Sequence, residues 1–437
     1  KRIEFLVKYG GVDLGGRLII KKKRKAREEM NRRLKKLGVD TNVETFNSFS
    51  EKILRKNEEE IYGEKKKVEG FKEKISIFKA TLKEIEAADA IDNYFSERQK
   101  KNNENNKLFQ TLMNDCFFIL EYFKRQGKEL YDFSKESGED SSEMIYKICK
   151  RLREFREESG LRSFNDQILD TIQFFKENKD RIPEFEHVLV DEYQDVNKMQ
   201  VELLDLLNPK NLFCVGDPRQ SIFGWRGSDI NYILDFQDKH NAEVISLNKN
   251  YRSDNHLVKL MNHCIRDLGL PDLKHHFEDE REIELEEFSS EQEEFNFIIN
   301  KIKGSELSRE KIFVLARTNR QLKELSKIMD KEGIPYVIRS DENEKIKEGR
   351  VALSTIHSIK GMEAELVFVI GCNNRNFPCK ASDHPVVDMI KKEDYDSEEE
   401  EKRLFYVAIS RAKNKLYLTY TGEPTYFINE DMKNMLE

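Results

Sequence analysis

The sequence predicts an α/β protein with two parallel-sheet lobes and a helical subdomain inserted into the first. Three observations predict it. Short β-branched runs recur and alternate with helix-spaced apolar positions, the pattern of parallel α/β layers. The stretch from about residue 50 to 165 is rich in Lys, Glu and Asn and carries no strand signal. A break falls near EVISLNKNYRS, beyond which a second series of runs begins.

The expected strands, in order, are RLII (17–20), HVLV (187–190), LFCV (212–215), EVISL (243–247), KIFVLA (311–316), VALSTI (351–356), ELVFVI (365–370) and KLYLTY (415–420). Within the helical insertion Phe117, Leu120, Phe123 and Leu130 recur at helical spacing. The acidic stretches FEDEREIELEEF (277–288) and DSEEEE (396–401) are expected to be solvated faces. In the second, Ser397 and Glu400 are spaced as a capping box. The helix it starts would carry Leu404, Val407 and Ala408 on one stripe, extended by Arg411. These readings divide the chain into residues 1–49 and 166–242 for the first lobe, 50–165 for the insertion and 243–437 for the second lobe.

At 437 residues the chain has room for about three domains. Charged residues make up 36%, against roughly 25% in average soluble domains. Both signs contribute and the net charge is only −7, so charge names no partner. The six cysteines form no C-x-x-C pair, and a chain of this size needs no disulfide staples, so a reduced, cytoplasmic setting is expected. The longest apolar run, LVFVIG (366–371), is far short of the ~20 residues of a membrane span, and the N-terminus has no signal-peptide core. The expectation is a soluble protein with no membrane partner.

HVLVDEYQD puts Asp191 and Glu192 directly after a buried strand, where open α/β sheets place their ligand crevice. Two readings stand there. The acids cap the following helix, or Asp191 anchors a hydrated Mg²⁺ while Glu192 orients and deprotonates a water. The next strand runs into LFCVGDPRQSIFGWRGSD, whose loop holds Gln220 and the only tryptophan, Trp225, between Phe223 and Arg226. A lone Trp is ordinarily core, but a glycine-rich loop is a poor place to bury an indole. An exposed aromatic beside arginine suits base stacking on single-stranded nucleic acid.

VLVDEYQD, VGDPRQSIFGWRGSD, LNKNYRS, VALSTIHSIKGMEAELVFVIG and EEEKRLFYVAISRAKNKLYL occur in this order. Together they closely resemble the motif series of the UvrD/Rep-like branch of superfamily 1 helicases. ETFNSFSEKIL (44–54) is similar to that family's early DNA-contacting stretch, so the resemblance runs from about residue 1 to 420. It implies two RecA-like lobes, with ATP and Mg²⁺ between them, hydrolysed to drive 3′-to-5′ movement on single-stranded DNA. It implies that Asp191 and Glu192 serve Mg²⁺ and water, that Gln220 senses the γ-phosphate, and that Arg252 and Arg411 reach it from the second lobe. Tyr251 would stack near the adenine, Glu363 would meet the ribose, and Gly361 would belong to the same nucleotide site. Thr45, Phe46, Phe223, Trp225, Arg226, Thr355 and His357 would line the DNA track. For Arg411 a helix-dipole role, and for His357 a structural one, stand beside these readings. A monomer is expected.

Four departures qualify the resemblance. No G-x-x-x-x-G-K-[ST] occurs. GVDLGGRL (11–18) nearly spells it, but Leu18 has no hydroxyl for Mg²⁺, Arg17 replaces the compact lysine, and the stretch leads into a strand rather than a helix. By the resemblance, KRIEFLVKY corresponds to the end of the helix that a P-loop opens, so the loop is expected just upstream of Lys1. Lys21, Lys22 and Lys23 stand where relatives carry a small, hydroxyl-rich stretch; a phosphate contact and a solvated basic turn are both open. Asn47 replaces a histidine, and only the short linker RSDENEKIKEGR separates GIPYVI from VALSTI, so the second-lobe insertion is missing. Without a phosphate loop these 437 residues are expected to be inactive as an ATPase. A nucleic-acid-binding or scaffolding subunit with a degenerate nucleotide site is the alternative.

Overall fold

The computed structural model describes residues 17–21, 24–36, 41–87, 89–96, 100, 105–126, 130, 140–277, 282–339, 346–379, 387 and 397–436. Residues 11–16 of GVDLGGRL, and Lys22 and Lys23, lie outside them. The described residues divide into two compact units, one drawn from 1–216, 225–229 and 382–395, the other from 217–224, 230–381 and 396–437.

The first unit holds a four-stranded, all-parallel sheet. Its strands are β1 (Arg17–Ile20), β2 (Asn42–Glu44), β5 (His187–Asp191) and β6 (Asn211–Val215), in the order β2-β1-β5-β6. Central strands buried on both faces read as uninterrupted apolar runs, as RLII and HVLV do. The helix Arg24–Lys36 covers one face, packing Met30 and Leu34 against Ile19, Val43 and Leu189. Strand β6 pairs with β5 on one side and, among the described residues, with no strand on the other. Its Phe213 is 36% exposed.

Between β2 and β5 the chain makes the expected helical excursion, with long helices at Asn105–Gln126 and Asp140–Glu158. Phe117, Leu120, Phe123 and Leu130 are each 4% exposed in its core. The expectation of no strand needs one correction. β3 (Lys67–Val68) pairs in parallel with β4 (Leu161–Arg162), a short ladder that fastens the two ends of the excursion together.

The second unit holds a six-stranded, all-parallel sheet and a separate parallel pair. The pair is β7 (Lys249–Asp254) with β8 (Lys274–Phe277). The sheet comprises β9 (Ile283–Phe288), β10 (Ile312–Ala316), β11 (Tyr336–Arg339), β12 (Val351–Thr355), β13 (Ala364–Ile370) and β14 (Ala412–Thr421), in the order β11-β12-β10-β13-β14-β9. Ile312, Val314 and Ala316 pack with the helices Glu291–Gly304 and Asn319–Lys331. The alternate residues Phe313 and Leu315 point to the other face and are fully buried too, so both faces are covered.

Three expectations are overturned in this unit. EVISL is not a strand: residues 242–248 are irregular, the strand begins at Lys249, and Val244, Ile245 and Leu247 are exposed. Of the acidic run 277–288, residues 278–281 lie outside the described residues, and 283–288 are not merely a solvated face. Their alternation I-E-L-E-E-F forms β9 beside β14, with Lys301 and Lys415 answering Glu282 and Glu284. Glu400 is 4% exposed and its Oε2 accepts the Gly224 N–H at 2.7 Å, while the Ser397 side chain of the expected capping box lies outside the described residues. The helix Ser397–Ile409 is buried almost all round from Arg403 onward, so it is an interior helix rather than a striped one, and Arg411 lies two residues beyond its end.

Candidate nucleotide and nucleic-acid site

In the first unit, buried Val188, Leu189 and Val190 carry Asp191 to the carboxyl end of β5, where it pairs in register with Val215. Glu192 turns the chain with φ 56° and ψ 43°, a left-handed conformation that costs a non-glycine residue about 1–2 kcal/mol. Its Oε2 accepts the Gln194 amide at 2.7 Å. Of the three lysines Lys21 alone is described, and it is no solvated turn: at 6% exposure its ammonium donates to Asp191 Oδ2 at 2.6 Å.

Thr45 and Phe46 do structural work. Thr45 caps the helix Phe46–Lys56, accepting from the Ser48 N–H at 3.0 Å while Ser48 Oγ accepts the Thr45 N–H at 2.7 Å. Phe46 is 4% exposed and offers no stacking face. Asn47, in the histidine's place, ties this helix to the helix Phe164–Glu177 through Phe164 O at 2.6 Å and Gln167 Oε1 at 2.9 Å.

Trp225 and Arg226 sit on the tight turn Gly224–Arg226. The indole is half-buried, and the exposed Arg226 guanidinium lies 4.4 Å from its ring centroid. Arg125 donates to Arg226 O. Gly227 takes φ 85°, a backbone angle that favours glycine, and a Cβ there would come within 3.0 Å of the Arg125 guanidinium.

In the second unit, Asp217 caps the turn Pro218–Gln220, and its Oδ2 accepts the Gln220 amide at 2.8 Å. Lys360 donates to Gln220 O at 2.5 Å and Arg403 to Ser221 O at 2.8 Å, clamping this loop onto the GMEAE turn and the interior helix. Phe223 is 1% exposed, which corrects its expected place on an open track; it packs 6.2 Å from the His357 ring and 5.0 Å from the Lys360 ammonium. Thr355 caps the short helix Ile356–Ile359 that carries His357. Gly361 takes φ 86°.

Arg252 and Arg411 converge nearby. Arg252 Nε donates to Glu363 Oε2 at 2.5 Å and its Nη1 to Ser410 O at 3.1 Å. Arg411, 1% exposed, donates to Val407 O at 2.9 Å, Met362 O at 3.1 Å and Ser410 Oγ at 2.7 Å. Burial, and then the neighbouring Arg252 charge, bring its pKa down to about 10. Burial works against the Glu363 carboxylate, but Lys413 at 2.8 Å and Arg252 hold its pKa below the usual range. Tyr251 is 64% exposed and packs 4.8 Å from the His276 ring. Sequence reasoning missed Asp217, Lys360 and Ser410, and it singled out Lys21 without its pairing to Asp191. Lys360 had a signal, as the one cation inside SIKGME.

Among the described residues no group of three His, Cys, Asp or Glu side chains could hold a metal, all six cysteines are free, and no helix is long and apolar enough to cross a membrane.

Residues 1–241 match the UvrD/REP helicase N-terminal domain, and residues 245–342 and 338–423 the UvrD-like helicase C-terminal domain. ATP-dependent DNA helicase PcrA of Staphylococcus epidermidis is 30% identical over 368 residues, and that of Staphylococcus aureus 30% over 363. Each alignment covers 77% of this chain and 46% of the relative, so the chain spans about half the length of the curated relatives it matches. A solved structure, the C-terminal domain of a possible DNA helicase from a Lactobacillus, covers 43% of this chain and 96% of its own at 16% identity, but its TM-score of 0.31 carries no weight. With the N-terminal match spanning more than half of its residues and the C-terminal match most of the remainder, the chain belongs to the UvrD/REP helicase family.

Proposed function

We propose that this chain serves an ATP-dependent DNA helicase that moves 3′ to 5′ on single-stranded DNA. The observation that carries the reading is the Arg252–Arg411 pair. Two guanidiniums share Ser410, and the buried one has only neutral oxygens as hydrogen-bond partners. Fixed cations of this kind stabilise the charge that develops on a transferring phosphoryl group. Tyr251 offers a ring for a base, and Glu363 an acceptor for a sugar hydroxyl. Gln220, oriented by Asp217, is set to report on the terminal phosphate.

Mg²⁺ needs only one or two carboxylates alongside phosphate and water, so Asp191 with Glu192 fits it, although the Lys21 ammonium already holds one Asp191 oxygen. Bound there, the ion would neutralise phosphate charge. Glu192, held by Gln194, would position a water and accept its proton. Trp225, Arg226, Thr355 and His357 remain the proposed DNA contacts.

The test is binding of a fluorescent oligothymidylate to the 437-residue chain, together with phosphate release. Single-stranded DNA should bind in preference to duplex, and DNA should stimulate no ATP hydrolysis, because the sequence has no G-x-x-x-x-G-K-[ST]. Failure to bind overturns the DNA reading, and robust hydrolysis overturns the expectation of inactivity. The second reading, a binding subunit with a degenerate nucleotide site, is favoured by the Lys21–Asp191 contact. That contact puts a protein cation where a catalytic site keeps its metal ligand free.

A further inference from the structure

Strands β1 and β5 run in register with Ile20 opposite Val190, so Lys21 and Asp191 leave the sheet side by side. The Lys21 amide prolongs the ladder by donating to Glu44 O at 2.8 Å, which fixes the backbone. Its side chain is 8% exposed and that of Asp191 is 25%, and the ammonium lies 2.6 Å from Oδ2. This is a charge-assisted hydrogen bond out of bulk water, in the class that contributes most per contact. It also places a full positive charge beside the carboxylate oxygens a divalent cation would use. Two cations repel at that distance, and one oxygen cannot serve both at full strength. The flexible four-carbon stem gives the ammonium a way to withdraw while the backbone stays in place.

We propose that Lys21 is a tethered counterion that competes with a divalent cation for Asp191, so the metal affinity of this site is set by displacing the ammonium. The proposal rests on reading Asp191 and Glu192 as the metal carboxylates. It makes Lys21 a positioning residue that keeps the Asp191 carboxylate oriented while raising the metal concentration needed to occupy it.

The experiment titrates the full chain with Mn²⁺ alone, read by electron paramagnetic resonance of the free ion, for the unaltered protein, Lys21→Met and Asp191→Asn. Methionine keeps the apolar stem and removes the charge. Lys21→Met should bind Mn²⁺ about tenfold more tightly than the unaltered protein, and Asp191→Asn should bind none at this site. Equal or weaker binding by Lys21→Met overturns the competition and leaves the metal site standing. Absence of Mn²⁺ binding in every protein overturns the metal reading, and the competition with it. Because Lys21→Met leaves a half-buried carboxylate unpaired, thermal unfolding supplies a second measurement. Mn²⁺ should raise the Tm of Lys21→Met by more than it raises that of the unaltered chain, and equal shifts overturn the proposal.

Discussion

Arg252 and Arg411 hold opposite ends of one residue, Arg252 Nη1 donating to Ser410 O at 3.1 Å and Arg411 Nη2 to Ser410 Oγ at 2.7 Å. Glu363 answers Arg252 directly, while Arg411 is left with oxygens that carry no charge. An anion arriving between these groups would relieve a like-charge repulsion the fold sustains. Pyrophosphate should therefore raise the Tm of the chain, by linkage to its affinity for the native state. Arg252→Ala should lose most of that shift. A Tm that pyrophosphate does not move in the unaltered protein would show that the pair serves no anion.

Trp225 is half-buried with Arg226 over its ring, so part of one face is already covered by a cation that itself favours nucleic acid. Trp225→Ala should weaken binding of an oligothymidylate by about 1–3 kcal/mol, the worth of one stacked base. The Tm should change little. A large loss of Tm with unchanged DNA affinity would make the indole a packing residue.

Glu294 gives a pH dependence whose sign can be worked out. It is 1% exposed, and its Oε1 accepts the Gly371 N–H at 2.7 Å and the Thr419 hydroxyl at 2.5 Å. Burial raises its pKa more than those two donors lower it, and Glu291 adds to the rise. A carboxyl whose pKa is higher folded than unfolded binds more protons in the native state. Stability therefore falls as pH climbs from the ordinary glutamate value near about 4.3 through the raised one, and stays reduced above it. Glu294→Gln keeps the acceptor oxygen and removes the titration. The difference in Tm, variant minus unaltered chain, should grow between pH 4 and 8, and a difference that is flat with pH would sink this account.

What the sequence revealed, and what it hid, follows from where the governing contacts lie. RLII, HVLV, KIFVLA and ELVFVI become strands because their apolar runs are long enough to be buried on both faces, a property local to each run, while LFCV becomes one beside β5 with Phe213 still exposed. EVISL has the same composition but stays irregular with Val244, Ile245 and Leu247 exposed, since a strand needs a neighbour to take its backbone hydrogen bonds. The run Ile283–Phe288 was misread in the opposite direction, because Glu282 and Glu284 are matched by lysines more than a dozen residues away. Among the candidate residues, Asp191, Gln220 and Arg252 were singled out by motif order. That Lys21 spans 170 positions to reach Asp191, or that Glu400 meets the Gly224 amide, is set by tertiary register that no local pattern carries.

The helical excursion offers the clearest stability test. Arg156 makes a bidentate pair with Glu69, Nε to Oε2 and Nη2 to Oε1, both at 3.0 Å, and its Nη1 lies 2.8 Å from Glu121 Oε1. The Glu69 side chain is fully buried, so burial raises its pKa even against the Arg156 and Lys74 charges. Lys74, at 3.5 Å and itself 30% exposed, is too distant to replace the lost donors. Arg156→Met should therefore destabilise the chain by about 3–5 kcal/mol, the usual cost of leaving a buried charge without its partner. Glu121 should add to that loss, because the Ser163 hydroxyl at 3.1 Å and the Asn165 amide at 2.8 Å reach only its Oε2, while its buried Oε1 loses the Arg156 ion pair. Adding Glu69→Leu removes the more deeply buried stranded carboxylate and should recover part of the stability, since apolar replacement of a buried pair is often neutral or better. Urea unfolding of the single and double variants measures both. If the double variant is no more stable than Arg156→Met alone, the loss comes from packing around Phe117, 5.6 Å from the Arg156 guanidinium, rather than from the charge.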